Sequence, residues 1–196
     1  AIVLWDRNDR GSVWGFWCWA IGIRLCALFL EPTLSDDVYR YIWEGFLNTQ
    51  GGNPYWTSPL ESEVSHWSKA YVNHPDLTSI YPPGAQALFT ILSSLVDDVW
   101  GVKLLSTLCD LGILWILFRQ LGISRGVWIY ALHPLPILEN SSSGHMESWA
   151  IFAMMVAIAF PNIRLWALWL GGMIKLLPAV LIPVSLRSWK DGVVLF

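Results

Sequence analysis

The sequence predicts an all-α fold: a multi-pass transmembrane helix bundle of about six spans, with a long extracytoplasmic first loop carrying short interfacial helices. Three observations carry this expectation. Of 196 residues, 55% are hydrophobic and only 14% charged, against roughly 25% charged in an ordinary soluble domain, and the mean hydropathy is +0.47. The 14 tryptophans suit a chain with many residues at headgroup depth, where an amphipathic ring finds apolar and polar neighbours together. Apolar runs approaching the ~20 residues of a spanning helix recur along the chain, separated by short polar or Gly-containing links.

The first run, Val13 to Leu30, contains one charge, Arg24. It is followed by Glu31-Pro32-Thr33 rather than a small-x-small cleavage site, so this helix itself would serve as the insertion signal. The segment from Glu31 to about Ile80 is rich in acids, contains His66 and His74, and is punctuated by Pro32, Pro54, Pro59 and Pro75. It belongs outside the hydrocarbon. Within it, Asp36 to Thr49 places Val38, Tyr41, Ile42 and Phe46 near helical spacing with Ser35 as N-cap, and Gly51-Gly52 ends the helix. Further apolar stretches run over residues 83–96, 102–118, 127–138, 149–160 and 165–186. The domain reading is one unit over 1–196: first span 13–30, external catalytic loop 31–80, further spans 81–196. The chain begins without Met and stops in Val193-Val194-Leu195-Phe196, so it is expected to be the N-terminal part of a larger membrane domain.

Arg7 and Arg10 place the N-terminus in the cytoplasm by the positive-inside rule, and the 31–80 loop on the opposite face. Strict alternation of the remaining spans returns Arg187 and Lys190 to the cytoplasm but leaves Arg119 and Arg125 outside. Either that loop is an exception or one segment does not cross.

A net charge of -3 and a pI near 5.7 leave no basic footprint for nucleic acid. Cys18, Cys26 and Cys109 lie in apolar stretches without C-x-x-C spacing and read as small hydrophobes. The chain lacks a Walker loop, a dinucleotide fingerprint, a zinc signature and a nucleophile elbow, and no ligand spacing demands a metal.

Chemistry concentrates in four places. Asp36 and Asp37 follow the first membrane helix at once, where a lipid-borne headgroup would present itself, and either carboxylate suits general-base work. The competing reading makes both acids caps that complement a helix dipole. Position ranks Asp36 first, nearer the membrane, with Asp37 turned to solvent. Next, Asn73-His74-Pro75 and Tyr81-Pro82-Pro83-Gly84-Ala85-Gln86 form a stiff approach to a helix that would hold His74, Tyr81 and Gln86 near one surface. The third is the polar stretch from His133 to Glu147, including Glu139, Gly144 and His145, set between apolar helices where irregular backbone is costly unless it lines a polar cavity. The fourth is Lys175 in Met173-Ile174-Lys175-Leu176-Leu177-Pro178, an intramembrane cation suited to a lipid phosphate. Arg24, Lys103 and Asp110 are likewise embedded, and Lys103, near a helix end, is expected to snorkel.

These motifs, Ser35-Asp36-Asp37-Val38-Tyr39-Arg40-Tyr41 with Glu44-Gly45, Asn73-His74-Pro75, Ile80-Tyr81-Pro82-Pro83, Gly144-His145-Met146-Glu147 and Lys175-Leu176-Leu177-Pro178, occur in an order that resembles bacterial polyprenol-phosphate-dependent mannosyltransferase-like proteins of the GT-C glycosyltransferase superfamily. The resemblance implies transfer of a hexose, mannose, from a polyprenyl-phosphate donor to a cell-envelope glycan or glycolipid acceptor. The active site would lie on the extracytoplasmic face of the bacterial cytoplasmic membrane, in contact with the bilayer. It implies Asp36 or Asp37 as catalytic base and Arg40, Glu44, His74, Tyr81, Gln86, His145, Glu147 and Lys175 as substrate-binding residues, with no cofactor, no metal and no nucleic acid. His133 and Glu147 stand where that family commonly has Asn and Asp. Two alternatives come from other classes: a membrane transporter lined by Lys175, Asp110 and Arg24, and a non-catalytic envelope-assembly subunit indifferent to loss of Asp36 and Asp37.

Overall fold

The computed structural model describes residues 10–32 and 34–191; Arg7 lies outside them. All regular structure among the described residues is helical. Helix α1 (Arg10–Leu28) runs antiparallel to α4 (Val99–Leu121). At one end Lys103 of α4 donates to the carbonyls of Leu28 and Leu30, 2.5 and 2.6 Å away, satisfying acceptors that a helix C-terminus leaves open. At the other end Phe16 stacks on Phe118 at 5.9 Å and meets Trp128 edge-on at 4.8 Å. Between them Arg24 Nε donates to Asp110 at 2.6 Å, with both side chains fully buried. Its guanidinium also reaches the Ala20 and Ala131 carbonyls, and the Tyr130 hydroxyl donates to the other Asp110 oxygen at 2.6 Å. Two expectations are corrected here. Lys103 is 2% exposed and caps α1 instead of snorkelling, and Arg24 and Asp110 neutralise each other instead of lining a pathway.

Helix α4 is the one helix among the described residues that is long and apolar enough to cross a membrane by length and composition. The Asp98 carboxylate accepts the Trp100 N–H at its start, and Gly122, at φ 63°, ends it.

Helix α2 (Asp37–Thr49) forms where the apolar spacing places it, with Ser35 Oγ accepting the Asp37 N–H at 3.2 Å. Helix α3 (Pro83–Leu95) starts on a proline whose missing N–H would be unsatisfied there anyway. The two pack tightly, Tyr41 stacking on Phe89 at 4.7 Å and 11°. Val38, Ala85, Val102, Met146 and Trp149 complete this core, which joins α2 and α3 to α4 and the later helices. The 83–96 stretch does not carry the chain to the far end of α1. Asp97, just beyond α3, meets His66 of the 31–80 loop at 2.8 Å, so α3 begins and ends beside that loop.

Two apolar stretches are broken. Residues 127–138 divide into α5 (Arg125–Leu132), a single turn α6 (Pro134–Pro136) and a wide π turn (Ile137–Ser142). Pro134 and Pro136 have no N–H to continue the ladder, and the Ala131 carbonyl takes a hydrogen bond from Arg24. Residues 165–186 divide at Lys175. After α7 (Glu147–Ala159) and a 3-10 turn, α8 (Arg164–Ile174) stops, and Lys175 is extended at φ -148° and ψ 141°. A 3-10 turn at Pro178 then leads into α9 (Leu181–Asp191). Gly171 lets these segments close: a Cβ there would stand 2.9 Å from Ala153 on α7 and 3.0 Å from Pro178.

Candidate active site

The adjacent acids separate on folding. Asp36 occupies the N-cap position of α2, yet its side chain makes no capping bond and is exposed. Asp37 turns inward: its Oδ1 accepts from Asn73 Nδ2 at 3.1 Å and its Oδ2 lies 3.6 Å from His145 Nε2. This reverses the expected order, in which Asp37 faced solvent.

His145 reaches Asp37 because of the backbone before it. The wide turn over Ile137–Ser142 closes with Ser143 N–H on the Leu138 carbonyl at 2.9 Å, and His145 N–H bonds the Glu139 carbonyl at 2.9 Å. Gly144 then takes φ 71°, a conformation open to glycine at no steric cost, with Lys103 Cγ 3.1 Å from where a Cβ would lie. The serines of this stretch fit between helices: Ser141 and Ser143 are fully buried, and Thr107 donates to Ser141 Oγ at 3.0 Å.

Around His145 stand three carboxylates. Its Nδ1 is 2.7 Å from Glu147 Oε2 and 3.7 Å from Glu139 Oε2, while Nε2, facing Asp37, is buried with no hydrogen-bond partner. The Glu147 hydrogen bond raises the His145 pKa above its ordinary value; burial opposes this, and the charges of Glu147, Glu139 and Asp37 add to it. Glu147, at the head of α7, also pairs with Lys175. Burial works against its ionisation, but the bonds from His145 and Lys175 hold its carboxyl well below the usual range. The Lys175 side chain is 45% exposed, so this ammonium, with three donors, stays open to a further partner. Asp37, Glu139, His145, Glu147 and Lys175 thus meet from four separate segments.

An apolar cavity of about 450 Å³ opens beside this cluster, lined by Leu105, Cys109, Trp149, Phe152, Leu170 and Ile174 among others. Of its lining residues, Ile174 directly precedes Lys175 and Trp149 lies two residues after Glu147.

Residues 3–189 match the family described as Alpha-(1->6)-mannopyranosyltransferase, N-terminal domain. The chain belongs to this family. It is a glycosyltransferase of the mannosyltransferase type, which supersedes the transporter and assembly-subunit alternatives. No curated protein and no solved structure matches it.

In this mannopyranosyltransferase domain the other predicted residues form a second, buried network. Arg40 donates to the Leu77, Asn73 and His74 carbonyls at 3.1, 2.6 and 2.7 Å, and Glu44 lies 3.5 Å away. Glu44 is fully buried and accepts from Ser79 at 2.8 Å and from Gln86 at 2.5 Å. Burial pushes its carboxyl up, against the bonds from Gln86, Ser79 and Arg40. The network fixes the 73–79 turn, where His74 is held at φ 47° with its side chain exposed. Through Asn73 that turn sets the Asp37 carboxylate. Tyr81 packs edge-on against Tyr41 at 5.2 Å, and burial together with the nearby Asp37 charge raises the pKa of its hydroxyl. Two members of the site were visible in the sequence only within larger motifs, Asn73 beside His74 and Glu139 in the polar stretch from His133 to Glu147. A polar residue flanking a His in a proline-bound stretch is the signal for Asn73, and an acid set in a polar break between apolar helices is the signal for Glu139.

Proposed function

We propose that this domain transfers mannose from a polyprenyl-phosphate donor to a cell-envelope glycan or glycolipid acceptor, with Asp37 as general base. The observation that carries this reading is the meeting of Asp37, His145, Glu147 and Lys175, with an apolar cavity whose lining includes Trp149 and Ile174, close in sequence to Glu147 and Lys175. An acceptor hydroxyl attacks the anomeric carbon, a C–O bond forms, and the sugar–phosphate C–O bond breaks with its electron pair leaving on phosphate. The hydroxyl proton passes to the Asp37 carboxylate. Lys175 faces the phosphate, where charge grows in the transition state, and the apolar cavity takes the first part of the prenyl chain. Arg40, Glu44, Gln86 and His74 act behind Asp37 as positioning residues, and Tyr81 borders them.

The test is direct. Purified protein with radiolabelled mannosyl-phosphopolyprenol and an α-1,6-linked manno-oligosaccharide should release labelled, extended oligosaccharide. Transfer from a sugar nucleotide alone, with none from the lipid donor, would sink the donor assignment.

The packing also supports a membrane topology that removes the conflict over Arg119 and Arg125. Because α3 stays beside the external loop and α4 is antiparallel to α1, α4 runs inward from the external face. Arg119 and Arg125 then lie in the cytoplasm, as the positive-inside rule requires. The broken segment 125–142 returns outward, its Ser142 hydroxyl reaching the Glu31 carbonyl at 3.1 Å; α7 goes in, α8 comes out to Lys175, and α9 goes in. At 13 and 11 residues, α7 and α8 are shorter than the ~20 of a full span, so they cross with help from their 3-10 turns and local bilayer thinning. After Cys18 and Cys26 are changed to Ala, a cysteine introduced by Ser65→Cys should be labelled by an impermeant thiol reagent on intact cells. One introduced by Gln120→Cys should react only after permeabilisation. External labelling of the Gln120→Cys variant would restore strict alternation and overturn this arrangement.

A further inference from the structure

A second cavity, of about 670 Å³, opens on the other side of α2. Its walls come from the end of α1, from α2, from the 3-10 turn Trp67–Tyr71 and from the α3–α4 link. Its lining is of a different kind. Tyr39 stacks on Tyr71 at 5.0 Å and 29° and meets Trp67 edge-on at 6.2 Å, while Trp100 forms the facing wall beside Phe29 at 5.4 Å. Glu31, Asp97 and Asp98 supply carboxylates. The one cation in the wall, Lys103, is already bound to two backbone carbonyls. Asp97 is taken by His66 and Ser93, and one Asp98 oxygen by the Trp100 N–H. Among the described residues, the Glu31 carboxylate, the Tyr39 and Tyr71 hydroxyls and the Trp67 indole N–H have no protein hydrogen-bond partner.

This combination selects its occupant. Acids without a free cation repel a phosphate or an anionic lipid headgroup, which the Lys175 side of α2 would attract instead. Aromatic faces with unpaired carboxylates and hydroxyls around them suit a neutral polyol, whose C–H faces lie on rings while its hydroxyls donate to carboxylates. The volume falls within the ~300–1,000 Å³ of ordinary ligand sites. Asp37 and Tyr39 lie two residues apart on α2, so at ~100° per residue they face opposite sides of one helix. Asp36, three residues before Tyr39, shares the side of Tyr39 and is exposed there.

We propose that this cleft binds the acceptor saccharide chain, holding sugars beyond the one whose hydroxyl reaches Asp37. The inference rests on the mannosyl-transfer reading above for the identity of its ligand. The probe is α-1,6-linked mannotetraose, titrated calorimetrically into the protein in nanodiscs of phosphatidylcholine. Tyr71→Ala removes a ring that is 58% exposed, and Asp98→Asn keeps the helix cap while removing the charge. Wild type should bind the tetrasaccharide, and each variant should bind it about tenfold more weakly. The acceptor KM should rise by the same factor, with the KM for the lipid donor unchanged. Failure of wild type to bind mannotetraose, or equal binding by the variants, would overturn the proposal. So would variants that bind mannotetraose normally but lose affinity for phosphatidylglycerol vesicles, which would make the cleft a lipid-facing aromatic belt. Binding that depends on Tyr71 without any transfer from the lipid donor would keep the cleft and sink the proposed reaction. Normal transfer with an unaltered acceptor KM would do the reverse.

Discussion

Asp37→Asn is expected to lower mannosyl transfer by at least the ~100-fold typical of a lost general base, while Asp36→Asn transfers near the wild-type rate. The two substitutions are equal in chemistry and adjacent in sequence, so the contrast isolates position. Asn has the shape of Asp and caps a helix equally well, and Ser35, not either acid, accepts the first α2 N–H. Asp37 faces Asn73 and His145; Asp36 has no side-chain capping bond and is exposed. Single-turnover rates with saturating lipid donor, alongside thermal melts of each variant, make the measurement. Full activity in the Asp37→Asn protein would move the base elsewhere, with Glu139 and Glu147 next in line around His145. A loss confined to Asp36→Asn would restore the ranking that sequence position suggests.

Asp110→Asn is expected to destabilise the protein by about 3–5 kcal/mol, since it leaves the Arg24 guanidinium buried without its countercharge. Arg24 and Asp110 are fully buried, and the Tyr130 hydroxyl bond points at the same carboxylate. Changing both partners to apolar residues, Arg24→Met with Asp110→Leu, should recover most of that loss, because a buried pair contributes little beyond a well-packed apolar replacement. Thermal denaturation in detergent with each single variant and the double measures the coupling. A single Asp110→Asn variant as stable as wild type would mean that water reaches Arg24, and would reopen a polar passage between α1 and α4.

The all-helical fold was legible because apolar runs of helical length, prolines and a capping serine are local signals. The α2 boundaries follow to within a residue from Ser35 and Gly51-Gly52, Asp36 rather than Ser35 taking the N-cap position. The path of the chain was not legible, since 83–96 and 102–118 read alike as apolar runs. What separates them is the pairing of Asp97 with His66 and of Lys103 with Leu28 and Leu30, contacts between residues far apart in sequence. The same limit governed the site. Its segments were recognisable, but one residue of helical rotation decides whether Asp36 or Asp37 turns inward. Arg40 and Glu44 read as ligands for a substrate because a charge in the sequence does not reveal its protein partners: carbonyls of residues 73–77 take the Arg40 guanidinium, and Ser79 and Gln86 donate to the Glu44 carboxylate.

The wide turn at Ile137–Ser142 sets the angular phase of everything that follows it. A π turn holds one residue more than the α turn it replaces, and one residue is ~100° of helical rotation. Tightening this stretch to a regular α-helix with every residue kept would therefore swing the downstream chain by about 100°. Glu139 and His145 would lose their common side, and Glu147 would no longer point at Lys175. The width of this turn, more than the identity of the serines in it, keeps the two sides of the site in phase.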